Sequence, residues 1–144
     1  MPAVTHRSLD PENPDILYGS TSSLWDARHP IEWAIKRIAA LGLQGIEPYA
    51  KQIEDHRADP VALKRKFDEA GVTLIDVSNG AKGQSTNFID PKETPKTIAD
   101  HVAFARDFLQ PAGCDMFKCN MGVRPDGGTS DDELKRIADT LNEI

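Results

Sequence analysis

Apolar residues in this chain recur with two alternating periods, and glycine or proline marks most of the changes between them. After a loose leader over residues 1–15, rich in proline, aspartate and asparagine, Ile16-Leu17-Tyr18-Gly19 predicts a short first strand. Gly19-Ser20-Thr21-Ser22-Ser23 then reads as a small polar loop of the kind that delivers a strand to a pocket. Pro30 suits the first position of a helix on which Ile31, Ala34, Ile35, Ile38 and Leu41 share one stripe, and Gly42 closes it.

The same pattern repeats three times. A second strand begins near Leu43, includes Gly45-Ile46-Glu47 and ends at Pro48 and Tyr49. Its helix has Asp59 as N-cap and Pro60 at the first position, with Leu63, Phe67 and Ala70 facing inward and Gly71 as the stop. Thr73-Leu74-Ile75-Asp76-Val77-Ser78 is almost continuously apolar or β-branched, as suits a strand covered on both faces. Residues 79–93 form a long polar loop, of the length that marks a lid or a mobile insertion. A third helix begins at Thr94-Pro95 with Ile98, Val102, Ala105 and Leu109 inward and Phe104 and Phe108 widening that face, before Pro111 and Gly113. Asp115 to Asn120 predicts a fourth strand, and Ser130 with Glu133 forms a capping box for a fourth helix whose Leu134, Ile137, Ala138 and Leu141 should face inward.

Strands that start near Ile16, Leu43, Thr73 and Asp115, each followed by a helix, give the βα rhythm of a parallel α/β sheet. A dinucleotide-binding doubly wound sheet is disfavoured, because the first loop carries a single glycine where a Gly-x-Gly-x-x-Gly turn would be needed. The remaining closed arrangement is the (β/α)₈ barrel, which takes eight units and about 250 residues. Four units over residues 16–144 correspond to an N-terminal half-barrel, with residues 1–15 as a flexible leader. Such a half leaves sheet edges and one sheet face uncovered, so association with a second copy or with the remaining barrel half is expected.

Composition narrows the function. Of the 144 residues, 39% are hydrophobic and 28% charged, a balance that fits a folded globule. Lys and Arg number 17 against 23 Asp and Glu, for a net charge of -6, and the basic residues are scattered, which disfavours nucleic-acid binding. Lys64-Arg65-Lys66 reads as a solvated helix face. The first residues have no signal-peptide pattern and no apolar run is long enough to span a bilayer, so a cytoplasmic protein without membrane contact is expected. Cys114 and Cys119, five apart in a predicted strand, should point to opposite faces and stay reduced.

Two segments carry a family resemblance: Trp33-Ala34-Ile35-Lys36-Arg37-Ile38-Ala39-Ala40-Leu41-Gly42-Leu43-Gln44-Gly45-Ile46-Glu47 and Leu63-Lys64-Arg65-Lys66-Phe67-Asp68-Glu69-Ala70-Gly71-Val72. The sequence resembles the xylose-isomerase-like TIM barrels, in particular their sugar or sugar-phosphate isomerase/epimerase and inosose dehydratase branch. The resemblance implies a sugar or polyol substrate. It also implies a divalent metal (Mn²⁺, Mg²⁺, Co²⁺ or Zn²⁺) at the C-terminal face of a complete barrel, with proton transfer between neighbouring carbons through an enediol-like intermediate. The family's ligands, two glutamates with an aspartate and a histidine or glutamine, come mainly from later strands. No metal site is therefore expected for this chain alone, and an isolated half should be inactive. The alternatives are a non-catalytic carbohydrate-binding or assembly module, and an inosose dehydratase-like lyase when complete.

The candidate substrate-binding residues stand at strand ends. Glu47 closes the second strand and can take a sugar hydroxyl, or accept adjacent loop amides. Lys118 and Asn120 leave the fourth strand on one face and can hold a sugar oxygen or a phosphate, or form an internal pair with Asp76 or Glu47. Ser78 and Asn79 add donors at the exit of the third strand, and Trp25 in the first loop can stack on a sugar or cap the barrel. Asp76 alternates with Leu74 and Ser78, so it either faces the interior or is paired structurally. Among the histidines only His56 falls in a loop with reach to a pocket, and no second ligand stands at metal-binding spacing from it.

Overall fold

The computed structural model describes residues 18–21, 29–122 and 127–144. The elements run β1 (Gly19–Thr21), α1 (Ile31–Ala40), β2 (Gly45–Glu47), a 3₁₀ helix (Ala50–His56), α2 (Pro60–Ala70), β3 (Thr73–Leu74), β4 (Val77–Ser78), α3 (Thr94–Phe104) continued by a π-helical turn (Ala105–Leu109), β5 (Phe117–Lys118) and α4 (Asp131–Asn142). β1, β2 and β3 form one parallel sheet in that order, and β4 pairs with β5 in another, also parallel. A parallel bridge from Tyr49 to Ser78 links the two sheets. The strand order is thus sequential and the sheet stays open, the arrangement of part of a (β/α)₈ barrel.

The third strand is continuous in sequence but broken in the structure. Thr73 and Ile75 donate to the carbonyls of Gln44 and Ile46 at 2.8 and 3.0 Å. In a parallel ladder the next bond would run from the N–H of residue 48 to the carbonyl of Ile75, and Pro48 has no N–H. The Cys114 thiol approaches that carbonyl instead, at 3.8 Å. Pairing with the end of the second strand resumes only at Ser78, through its bridge to Tyr49, and Asp76 sits in the gap.

Helices pack on one face of the sheet, where Ile35, Ile38, Ile46, Leu63, Phe67 and Val77 belong to one buried core. Strand alternation places Gly45 and Glu47 on the other face, since Ile46 between them points into that core. Ile75 covers the glycines there: a Cβ on Gly45 would come within 2.6 Å of the Ile75 side chain, so a larger residue would force Ile75 to shift.

α2 forms as its sequence dictates. Asp59 accepts from the Ala62 N–H at 2.8 Å, Pro60 occupies the first turn, and Gly71 ends the helix at φ 65°. Elsewhere the structure corrects the sequence-based expectations. The segment Gly19–Thr21 is strand rather than loop, because its backbone pairs with Gly45–Glu47; Ile16 and Leu17 lie outside the described residues. α3 buries Thr97, His101, Phe104, Phe108 and Leu109, leaving Ile98, Val102 and Ala105 only partly covered. The helix turns its polar edge inward because the loop before it offers hydrogen-bonding partners, and the π turn adds a residue that brings Phe108 and Leu109 in together.

That loop is tied down, although its polar composition suggested otherwise. Phe88 is fully buried, and the Thr97 hydroxyl donates to the Asn87 carbonyl at 2.7 Å and lies 2.8 Å from Ser85 Oγ. α4 is capped as expected, with Ser130 Oγ accepting from the Glu133 N–H at 3.3 Å. Its apolar stripe is not inward, however: Leu134 is 53% and Leu141 37% exposed, and Thr140 is the buried residue. Arg136 ties the helix to the loop before α3, donating to the Ile89 carbonyl at 2.6 Å.

Candidate functional site

The C-terminal ends of β2, β4 and β5 bring Glu47, Ser78 and Lys118 together. Parallel pairing places Ser78 beside Lys118 in register, and the Tyr49 bridge brings the end of β2 alongside. Lys118 Nζ lies 2.6 Å from Glu47 Oε1, and the Ser78 hydroxyl donates to the same oxygen at 3.2 Å. The Glu47 side chain is 20% exposed and that of Lys118 50%, so the pair opens to solvent at the strand ends. The hydrogen bond to Glu47, reinforced by the carboxylate charge, holds the ammonium above its usual range.

Asp76 lies within the electrostatic reach of this pair. Burial, followed by the Glu47 charge, pushes its carboxyl up, while Lys118 acts against them. Its Oδ1 is buried with no hydrogen-bond partner, a condition shared among the described residues only by Gln84 Nε2. A carboxylate left unsatisfied beside an ion pair retains acceptor capacity for a bound hydroxyl.

Asn79 and Asn120 form a separate cluster. Asn79 is buried, and its amide group bonds the backbone of Asn120 in both directions, at 2.9 Å each, as well as His101 Nε2 at 3.1 Å. His101 itself is fully buried, and its Nδ1 lies 2.8 Å from the Thr97 carbonyl. Burial pushes this imidazole down, against the opposing effects of the Thr97 bond and the Asp100 charge.

Trp25 lies outside the described residues. His56 Nε2 is 3.2 Å from Glu32 Oε1 of α1, which turns it to the helix layer rather than to the strand ends. Sequence reasoning gave His101 no role and left Asp76 open between an interior position and a structural pair. The signal for Asp76 was a lone carboxylate inside an otherwise apolar strand. His101 had no comparable signal, because its partners come from distant segments.

The open, sequentially ordered parallel sheet with helices on one face matches solved barrels. The chain has the fold of part of a TIM barrel. This partial barrel aligns with a D-psicose 3-epimerase determined in the presence of D-fructose, at a TM-score of 0.66 and 16% identity, over 90% of this chain and 47% of that one. It aligns with a xylose isomerase domain protein from Planctomyces limnophilus at a TM-score of 0.56 and 15% identity, over 88% of this chain and 49% of the other. A xylose isomerase-like TIM barrel/4-hydroxyphenylpyruvate dioxygenase fusion protein gives a TM-score of 0.61 at 15% identity, over 85% and 18%. The chain therefore spans about half the length of the first two structures, and less of the third. No family model and no curated protein matches the sequence.

The side chains of the described residues do not fit the divalent metal that the resemblance implies. Among the described residues no group of three or more His, Cys, Asp or Glu side chains converges on a cation-sized site. Glu47 Oε1 is already engaged by an ammonium and a hydroxyl, so a divalent cation at that oxygen would face a like charge. Among the described residues no helix is long and apolar enough to cross a membrane.

Proposed function

We propose that residues 16–144 form one wall of a sugar- or polyol-binding barrel of the isomerase/epimerase type, with Asp76, Glu47 and Lys118 as its hydroxyl-binding groups. The observation that carries this reading is the unpartnered Asp76 Oδ1 beside the Glu47–Lys118 pair. Once the Asp76 side chain turns Oδ1 toward the strand-end opening, a polyol hydroxyl can donate to it while the hydroxyl oxygen accepts from Lys118, and Ser78 keeps Glu47 turned toward the ammonium. Proton transfer between sugar carbons would require further groups from additional βα units, so the isolated chain binds without turnover.

The D-fructose named with the similar epimerase structure supplies the first ligand to try. Calorimetric titration of the pure chain with D-fructose should show weak saturable binding that Asp76→Asn or Lys118→Met lowers by roughly ten- to a hundredfold, the worth of one charge-assisted hydrogen bond. Binding unchanged by both substitutions would refute the site. Robust ketose turnover by the isolated chain with Mn²⁺, Mg²⁺ or Co²⁺ would refute the binding-only reading.

The uncovered parts of the fold support a partner. Leu134 and Leu141 of α4 are exposed, and a cavity of about 390 Å³ beside the edge of β5 is lined by Leu109, Met116, Phe117 and Ile144. Further βα units, from a second copy or a complementary half, would cover both. Sedimentation across a concentration series should show association, and a constant compact monomer would rule against self-assembly.

A further inference from the structure

A polar chain runs behind the strand ends from α3 to the exit of β5 through two side chains. At one end His101 Nδ1 lies 2.8 Å from the Thr97 carbonyl; a carbonyl can only accept, so Nδ1 carries a proton. At the other end the Asn120 N–H donates to Asn79 Oδ1, and Asn79 Nδ2 donates to the Asn120 carbonyl, both at 2.9 Å. Those two backbone groups fix which end of the Asn79 amide is oxygen. The second Nδ2 hydrogen is then directed at His101 Nε2, 3.1 Å away, which must present a lone pair. Directions set independently at the two ends meet at one ring, and they agree only on neutral imidazole protonated at Nδ1.

We infer that His101, as this neutral Nδ1–H tautomer, is a positioning residue that holds Asn79 and through it ties together the exits of β4 and β5. It rests on the proposed polyol site for its functional consequence, which is the placement of Lys118. The Asn79 N–H donates to the Lys118 carbonyl at 2.9 Å, so the residue that the ring holds is bonded to the backbone of the lysine itself. The ring is fully buried, with Phe88 edge-on at 5.2 Å and Phe117 tilted at 5.1 Å, and the packing confines it to this partner.

Protonation would dismantle the arrangement. An Nε2–H opposite Nδ2–H sets donor against donor, and turning the Asn79 oxygen to the imidazolium would leave the Asn120 N–H without its acceptor. The ionised group whose field reaches the ring is Asp100; Asn79, Thr97, Phe88 and Phe117, which face it from the surrounding segments, carry no charge.

The test uses the full chain labelled with ¹⁵N. Imidazole nitrogen correlation spectra at neutral pH should show His101 as the Nδ1–H tautomer. As pH falls, the protection of the Asn120 amide, its exchange rate relative to that of an unstructured amide at the same pH, should drop with the same midpoint as the His101 titration. His101→Phe keeps an aromatic ring and removes the acceptor; it should speed Asn120 exchange about tenfold, the ratio expected for one ordinary hydrogen bond, and abolish the pH step. Asn79→Asp places a carboxylate beside the ring and should raise the His101 midpoint, a result that also decides the matter if His101→Phe does not fold. An Nε2–H tautomer, a midpoint not shared by Asn120, or an unaltered Asn120 amide in folded His101→Phe would overturn the inference. D-fructose affinity, measured in parallel, should fall across the same midpoint, and affinity that stays constant there would overturn the link to Lys118. If wild type binds no fructose at any pH, the proposed function fails, while the tautomer and the Asn120 amide still decide the coupling.

Discussion

Two polar clusters lie side by side at the strand ends, and they are completed to different degrees. Around Asn79, the side-chain oxygen, both amide hydrogens and both nitrogens of His101 have partners within the chain. Around Glu47, the Lys118 and Ser78 bonds converge on one carboxylate oxygen, and Asp76 Oδ1 is buried with none. A satisfied network spends its bonding capacity on the fold and so shapes the site. An unsatisfied one keeps capacity for something outside the chain. Sequence alone suggested similar roles for Glu47, Ser78, Asn79, Lys118 and Asn120; the bonding pattern assigns Asn79 and the Asn120 backbone to support.

The comparison breaks most severely if the packing beneath the satisfied cluster is removed. Phe88→Ala, at a fully buried ring against His101, should cost about 3–5 kcal/mol, read as a large fall in the denaturation midpoint. Thr97→Val leaves the Asn87 carbonyl and Ser85 without their shared partner and should cost about 1–3 kcal/mol in the same measurement.

A pH series sharpens the contrast further. Burial lowers the His101 value in the folded state, so the unfolded chain takes up the proton first as pH falls. The stability that neutral His101 contributes is present above the ordinary histidine value and is lost as pH drops from there through the depressed one. Melting temperature should decline over that window, and the decline should be shallower in His101→Phe.

Asp76 has the opposite sign and the smallest effect. Its folded value is raised, so its favourable contribution exists below the ordinary carboxylate value and is lost as pH rises through the raised one. Asp76→Asn should therefore melt slightly higher than wild type at neutral pH, with the advantage gone in acid, even as it weakens fructose binding. A lower melting temperature at neutral pH would show that Asp76 serves the fold.

α2 and α4 show how far the sequence could be read. Asp59, Pro60 and Gly71 act within a few residues of themselves, so the cap, first turn and stop of α2 were visible in order, as was the Ser130–Glu133 box of α4. Which side of α4 is covered depends on what lies opposite, and Leu134 and Leu141 stay exposed while Thr140 is buried. The break in the third strand had a local cause in Pro48, but that proline acts on Ile75 across the sheet, and only the register reveals the connection.

By itself the sequence determined the alternation of strands and helices, the parallel α/β class and the strand-end location of Glu47, Ser78 and Lys118, because periodicity, capping and turn chemistry operate over a few residues. Tertiary structure alone decided that Lys118 and Ser78 share one oxygen of Glu47, that Asp76 is left without a partner, and that His101 turns inward to hold Asn79. Those outcomes join residues from 22 to 71 positions apart, and contacts over such separations arise from sheet register and helix packing, which no local pattern encodes.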